Sequence, residues 1–151
     1  MLLVLIGILF KVSAAPFHFW TPDVYDGAPT IFTAFMSTVV KTAGFAALYR
    51  LLSISFSGIY GFWWNTMAML TILTLLIGNI TAVYQKSFKR MLAYSSISHA
   101  GYLLIGLVSL TKQTQQALLF YSLAYSLATI TAFGVLILVS ENAQKDGQPD
   151  E

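Results

Sequence analysis

Five stretches of predominantly apolar residues, at about 1–20, 31–52, 59–84, 91–110 and 117–140, fill most of this 151-residue chain. A helix of about 20 such residues crosses the hydrocarbon core of a bilayer, so each stretch is long enough, some with tilt. Inside lipid no water is available to the backbone, which leaves only helices or closed barrels. Segments of about ten residues alternating in polarity, the mark of a membrane barrel, do not occur. The expected fold is therefore all-α: a polytopic membrane helix bundle of about five transmembrane helices. Short connectors make successive helices antiparallel neighbours. Composition agrees, since 57% of residues are hydrophobic and 9% charged, against about a quarter charged in an ordinary soluble domain. A formal charge of +2 with no basic run offers nucleic acid no surface. With no cysteine, disulfides, thiolate metal sites and cysteine nucleophiles are excluded.

Loop charges orient the bundle. Lys86, Lys89 and Arg90 form the tightest basic cluster, and placing it in the cytoplasm puts Thr21–Pro29 and residues 141–151 there too. Arg50 and Lys112 then lie outside. Trp20, Tyr25, Tyr60, Trp63, Trp64 and Tyr84 fall near predicted helix ends, as interfacial aromatics prefer. Residues 141–151, with Asp146, Gly147 and Pro149, read as a polar cytoplasmic loop or tail. Met1 opens straight into an apolar run without a basic flank or cleavage site, which argues against a signal peptide and for a fragment.

The polar residues within the spans carry the functional information. Lys11 and Lys41 each sit near the middle of an apolar run. A cation at that depth costs at least ~2.5–3.5 kcal/mol, and snorkelling works only near helix ends. Both lysines therefore point to a buried polar path, with ion transport the first function to consider. Helical spacing places Lys11 and His18 on one stripe of the first span, with Pro16 between them. Pro16 removes a backbone donor and collides with the carbonyl of residue 12, so the helix is expected to break there. Broken membrane helices are tolerated where their freed backbone lines a polar cavity.

Similar stripes join Ser37 to Lys41 in the second span, and Ser95, Ser98, His99 and Tyr102 in the fourth. His99 lies near mid-depth and suits either a relay or a structural hydrogen bond, whereas His18, near the interface, leans structural. Thr71, Thr74, Gly78 and Thr81 in the third span, and Ser122, Tyr125, Ser126 and Thr129 in the fifth, read as packing faces. No Asp or Glu occurs inside any span. A buried ammonium without a carboxylate tends to shed its proton, so the lysines are either neutral part of the time or paired outside this segment. The competing reading is a static scaffold in which both lysines are fixed counter-ions.

Two segments carry a resemblance. Phe10–Lys11–Val12–Ser13–Ala14–Ala15–Pro16–Phe17–His18–Phe19–Trp20–Thr21–Pro22–Asp23–Val24–Tyr25–Asp26–Gly27–Ala28–Pro29 is similar to one signature of the antiporter-like membrane subunits of respiratory complex I. Lys89–Arg90–Met91–Leu92–Ala93–Tyr94–Ser95–Ser96–Ile97–Ser98–His99–Ala100–Gly101–Tyr102 resembles a second signature of that family. The resemblance implies part of an inverted-repeat fold of about fourteen spans. This chain would supply the last two helices of one repeat and the first three of the next. Lys11 matches the family's lysine on a broken helix, and Lys41 the lysine on the helix that follows. His99 falls where a proton relay is plausible, with His18, Ser37, Ser95 and Ser98 as supporting polar path. The glutamate expected to pair with Lys11 and a further lysine helix fall outside this chain.

The implied function is proton translocation in an NADH-quinone oxidoreductase, driven by quinone reduction in partner subunits and carried by the buried lysines. The resemblance implies no cofactor or metal in this chain. NADH, flavin, iron–sulfur clusters and quinone are expected in the other membrane and peripheral subunits of complex I. The implied location is the inner (plasma) membrane of a bacterium, or else the mitochondrial inner membrane. A subunit of a multisubunit sodium/proton antiporter or a related hydrogenase shares both signatures and remains the alternative.

Overall fold

The computed structural model describes residues 1–145. All regular secondary structure among them is helical. The first expected span is divided. Helix α1 runs Leu2–Lys11, and the chain then leaves helical geometry until α2, Trp20–Gly27. Ser13 takes a left-handed conformation with φ of 64°, and Pro16 lies in the middle of the interruption. The break expected near Pro16 therefore opens a turn earlier. The proline ring disrupts the turn that precedes it, so the helix ends before Val12.

The segment from Thr21 to Pro29, read above as a loop, is a correction: most of it forms α2. Pro22 sits in the first turn, where a missing amide is harmless. Ala28, which precedes Pro29, is extended with ψ of 153° and closes the helix.

Thr30–Ser55 is one rod of 26 residues. It consists of α3 (Thr30–Phe35), a π turn (Met36–Val40), α4 (Lys41–Arg50) and a second π turn (Leu51–Ser55). The Ser37 and Thr38 hydroxyls both donate to Ala34 O, at 3.0 and 2.7 Å. Such back-bonding competes with the regular backbone ladder at the point where it widens. A 3-10 turn, Ser57–Ile59, leads into α5 (Tyr60–Val83). Helix α6 (Phe88–Ser109) begins at Ser87, whose hydroxyl accepts from Arg90 N–H. Helix α7 spans Lys112–Lys145.

Four helices, Thr30–Ser55, Ser57–Val83, Phe88–Ser109 and Lys112–Asn142, are long and apolar enough to cross a membrane, and Leu2–Lys11 is a shorter apolar helix. Five expected spans thus become four full-length helices and one short one. Residues 141–145 of the expected polar tail continue α7, and the remainder of that tail lies outside the described residues.

Helix α6 is the hub, packed against α5 and also against α2 and α7. The α5–α6 approach is close because Gly78 faces Ser98: a Cβ there would fall 2.7 Å from Ser98 N and 3.0 Å from its Cα. Small residues permit this spacing between membrane helices. Helix α7 covers α3 and the first π turn, while α1 leans on α4. Leu5, Leu9, Leu48, Trp63 and Leu104 fill the apolar core between them.

The backbone groups released at the break are bonded by side chains. Ala15 N–H donates to Thr74 Oγ1 on α5 at 2.9 Å, and Thr74 in turn donates to Leu70 O at 2.6 Å. Trp20 Nε1 donates to Phe10 O at 3.0 Å, and Thr21 Oγ1 donates to Ser13 Oγ at 2.6 Å. Thr74 is thus an acceptor for a buried amide that has no other. Thr74→Val in the full-length protein is expected to cost ~1–3 kcal/mol, the penalty for an unsatisfied buried donor, with Thr74→Ser close to wild type. Thermal unfolding in detergent reads this, and a Val variant as stable as wild type would remove Thr74 from that role.

Candidate functional site

Lys41 opens α4, directly after the π turn, and is 2% exposed. Its Nζ donates to Ser96 O at 2.6 Å and to Ser96 Oγ at 3.0 Å. The ion pairs among the described residues are those of Arg90 with Asp23 and Asp26, so no carboxylate in the described residues holds Lys41. The amine rests on neutral oxygens alone. A serine hydroxyl can accept from an ammonium or donate to a neutral amine, so this contact serves either protonation state.

One turn beyond Ser96 on α6 lies half-buried His99. Its Nδ1 meets Tyr121 Oη at 2.6 Å. Its ring is packed against that of Tyr125, with centroids 4.7 Å apart. These residues, with Ser95, Thr129 and small alanines of α7, line a cavity of about 380 Å³ between α6 and α7. Tyr25 of α2 is 1% exposed and lies near both Ser96 and Tyr125. The arrangement is a buried amine, two hydroxyl-bearing helices and an imidazole gathered on α6. Chemically, it can hold and hand over protons.

The expected site residues distribute unevenly over this geometry. Lys41 is at its centre, His99 is one turn from it, and Ser95 lines the cavity. Ser37 is buried one turn from Lys41, but its hydroxyl is spent on Ala34 O. Ser98 faces α5 against Gly78, and its hydroxyl bonds Tyr94 O at 3.4 Å. Lys11 is exposed at the end of α1. His18 is half-buried within the break, where its Nδ1 has no partner.

Sequence reasoning passed over Ser96 and Tyr121, assigned Tyr125 to a packing face, and read as an interfacial aromatic the Tyr25 that the structure buries. A signal was present for two of these, since Tyr121 and Tyr125 stand one turn apart on the same face of a helix. A second cluster also escaped notice. Arg90 donates to Asp23 Oδ1 at 3.0 Å, Lys89 donates to Asp26 O at 3.1 Å, and Ser87 donates to Asp26 Oδ1 at 3.2 Å. These contacts pin the end of α2 to the start of α6. Lys89 and Arg90, read from the sequence as orienting charges, thus fasten the broken helix.

Comparison with known proteins places this arrangement. The family model for NADH:quinone oxidoreductase/Mrp antiporter transmembrane proteins matches residues 1–148. The chain belongs to this family. It is 51% identical over 147 residues to NADH-quinone oxidoreductase subunit N of Trichlorobacter lovleyi, covering 97% of this chain and 30% of that protein. It is 52% identical over 137 residues to the subunit N of Salinibacter ruber, covering 91% of this chain and 27% of that one. A chain of respiratory complex I from Thermus thermophilus with bound aureothin superposes with a TM-score of 0.73 at 48% identity, covering 86% of this chain and 28% of the other. The chain therefore spans under a third of the length of these relatives.

Membership of the NADH:quinone oxidoreductase/Mrp antiporter family covers both signature segments read from the sequence. It leaves the contact of Lys41 with the second of them to be tested directly. Lys41 and Ser96 are 55 residues apart and joined by two hydrogen bonds. A double-mutant cycle of Lys41→Met and Ser96→Ala in the full-length protein is expected to give a coupling energy of ~1–3 kcal/mol. Thermal unfolding of the four proteins measures it, and strictly additive effects would mean that the hydroxyl contact carries no energy, since Ser96→Ala keeps the bond to Ser96 O.

Proposed function

We propose that this segment is part of a proton-translocating membrane subunit of an NADH-quinone oxidoreductase, in which Lys41 takes up and releases H⁺ inside the bilayer. One observation carries the reading: an amine 2% exposed, at the middle of a rod long enough to span a membrane, bonded only to a serine. A fixed structural cation would be expected to have a carboxylate, because burying an unpaired charge is costly. An amine that cycles between protonation states is better served by a hydroxyl that can reverse its role.

In this reading Lys11 is a second proton-carrying amine beside the break, and His99 receives or supplies the proton on the α6–α7 side. Ser95 and Ser96 furnish hydroxyls between them. Ser37 and Ser98 shape the helices around the path, and His18 stays at the break. The other subunits of the complex hold NADH, flavin, iron–sulfur clusters and quinone, and electron transfer there drives the change in lysine protonation. The bacterial names of the relatives support an inner (plasma) membrane location.

The test uses the full-length subunit in the assembled complex, reconstituted into vesicles. Lys41→Met is expected to lower protons moved per quinone reduced, with assembly intact. Lys41→Arg, which keeps a charge but does not release its proton at working pH, is expected to resemble Met. Unchanged pumping in both variants would favour a scaffold with a static lysine. A second reading remains because the matching family includes Mrp antiporters. A sodium-dependent proton flux that proceeds without quinone reduction would favour that assignment.

A further inference from the structure

Tyr125 Oη, on α7, is buried and has no hydrogen-bond partner. Buried polar atoms in native proteins are almost always bonded, so an orphan calls for an explanation. The described helices already shut this oxygen off, so no further segment of a longer protein can lie against it without moving them. Its partner must come from within. The Ser96 and Thr129 hydroxyls lie within interacting reach of it and Tyr25 also stands near, yet none meets it in full hydrogen-bond geometry.

Ser96 connects the orphan to the site. Its Oγ accepts from Lys41 Nζ at 3.0 Å. A hydroxyl that accepts one bond still has a proton to donate, and Tyr125 Oη stands beside it. On its far side Tyr125 lines the cavity shared with Ser95, His99, Tyr121 and Thr129. Its ring lies 4.7 Å from the imidazole of His99. A phenylalanine would fill the same space, so the hydroxyl contributes nothing to packing.

We propose that Tyr125 is a relay residue, whose hydroxyl links Ser96, and through it Lys41, to the cavity lined by His99. This rests on the reading of Lys41 as a proton carrier. In one transfer the Lys41 ammonium gives a proton to Ser96 Oγ as Ser96 gives its own to Tyr125 Oη. Tyr125 passes its proton to His99 or to water in the cavity. The hydroxyls end neutral, Lys41 ends as the free amine, and the positive charge has moved to the acceptor. Rotation of the two hydroxyls resets the chain. The orphan state is then the disconnected position of a link that closes by a small shift.

The experiment compares Tyr125→Phe and Lys41→Met in the full-length subunit of the assembled, reconstituted complex. Tyr125→Phe keeps the ring against His99 and deletes only the hydroxyl. Its proton pumping is expected to fall about tenfold, the effect of a modest rise in one transfer barrier. Its thermal stability should stay equal to wild type or rise, because an unsatisfied group has been removed. A loss of stability parallel to the loss of pumping would mark a structural role and overturn the proposal. Reduced pumping in Lys41→Met with wild-type pumping in Tyr125→Phe would overturn it alone. Wild-type pumping in Lys41→Met would overturn the reading beneath it. A structure of the wild-type complex that resolves waters decides independently of any variant. Tyr125 Oη should bond Ser96 Oγ directly or through one water, and an oxygen bonded only to backbone would refute the relay.

Discussion

An amine can be sealed among membrane helices only if oxygens are aimed at it, and here both come from Ser96. Much of the bundle follows from that requirement. Ser96 must be buried, so α6 cannot present it to lipid and has to be covered by other helices. The covering is close: α5 approaches through Gly78, α2 is fastened by Arg90 and Lys89, and α7 closes the remaining side. Lys41 must also face α6 from the middle of its own rod, and the π turn immediately before it widens the helix at that point. Local departures from regular helix often coincide with functional sites, and this one adjoins the buried amine.

The interruption between α1 and α2 obeys the same rule in reverse. Where a proline and a left-handed serine take the backbone out of its ladder, the freed groups need partners that lipid cannot offer. Thr74 supplies an acceptor to Ala15, and Trp20 a donor to Phe10 O. Thr74 of α5 therefore does more than pack. It lets a helix be broken at depth without leaving raw backbone in an apolar medium. The ion pairs of Arg90 then anchor the second half of that helix at the membrane edge, where partial exposure makes each pair worth little alone.

The helical class, the four long apolar helices and the burial of Lys41 were legible because each depends on local chemistry. Length and apolarity mark a span, Pro16 marks a break, and an ammonium at mid-span stands out against its neighbours. Ser96 was not legible for a definite reason. The facial argument assumes one buried side per helix, and it picked out Ser95, Ser98 and His99 as one stripe. The buried residues Ala93, Ser96, Ile97, Ala100, Gly101 and Leu104 recur at helical spacing along one face of α6, while Tyr102 and Ile105 are exposed. The facial argument followed the polar stripe instead of this small and apolar face, where Ser96 looks like one more packing residue. The choice among hydroxyls is made by what stands opposite, which is a tertiary fact. The π turns escaped for a similar reason, since Ser37 and Thr38 suit a regular helix as well as a widened one. Reading Thr21–Pro29 as a loop gave too much weight to its prolines, although Pro22 suits a first turn and only Pro29 forces a stop.

Lys11 and Lys41 look equivalent in sequence, yet the fold treats them differently. Lys41 is enclosed by helices that all lie within this segment, so its environment is complete here. Lys11 ends a short helix that leans on α4 and is exposed on its other side. This chain spans 30% of the Trichlorobacter lovleyi relative, so in a protein of that length further chain is available to cover Lys11. If the two amines exchange protons as proposed, net transfer from one to the other needs unequal affinities, which unequal surroundings supply. One lysine closed within the bundle beside hydroxyls, and one opening at a helix break towards a separate surface, provide such an inequality. Lys11 ends α1 just before the break, outside the enclosure that Ser96 forms for Lys41, and the two environments stay distinct.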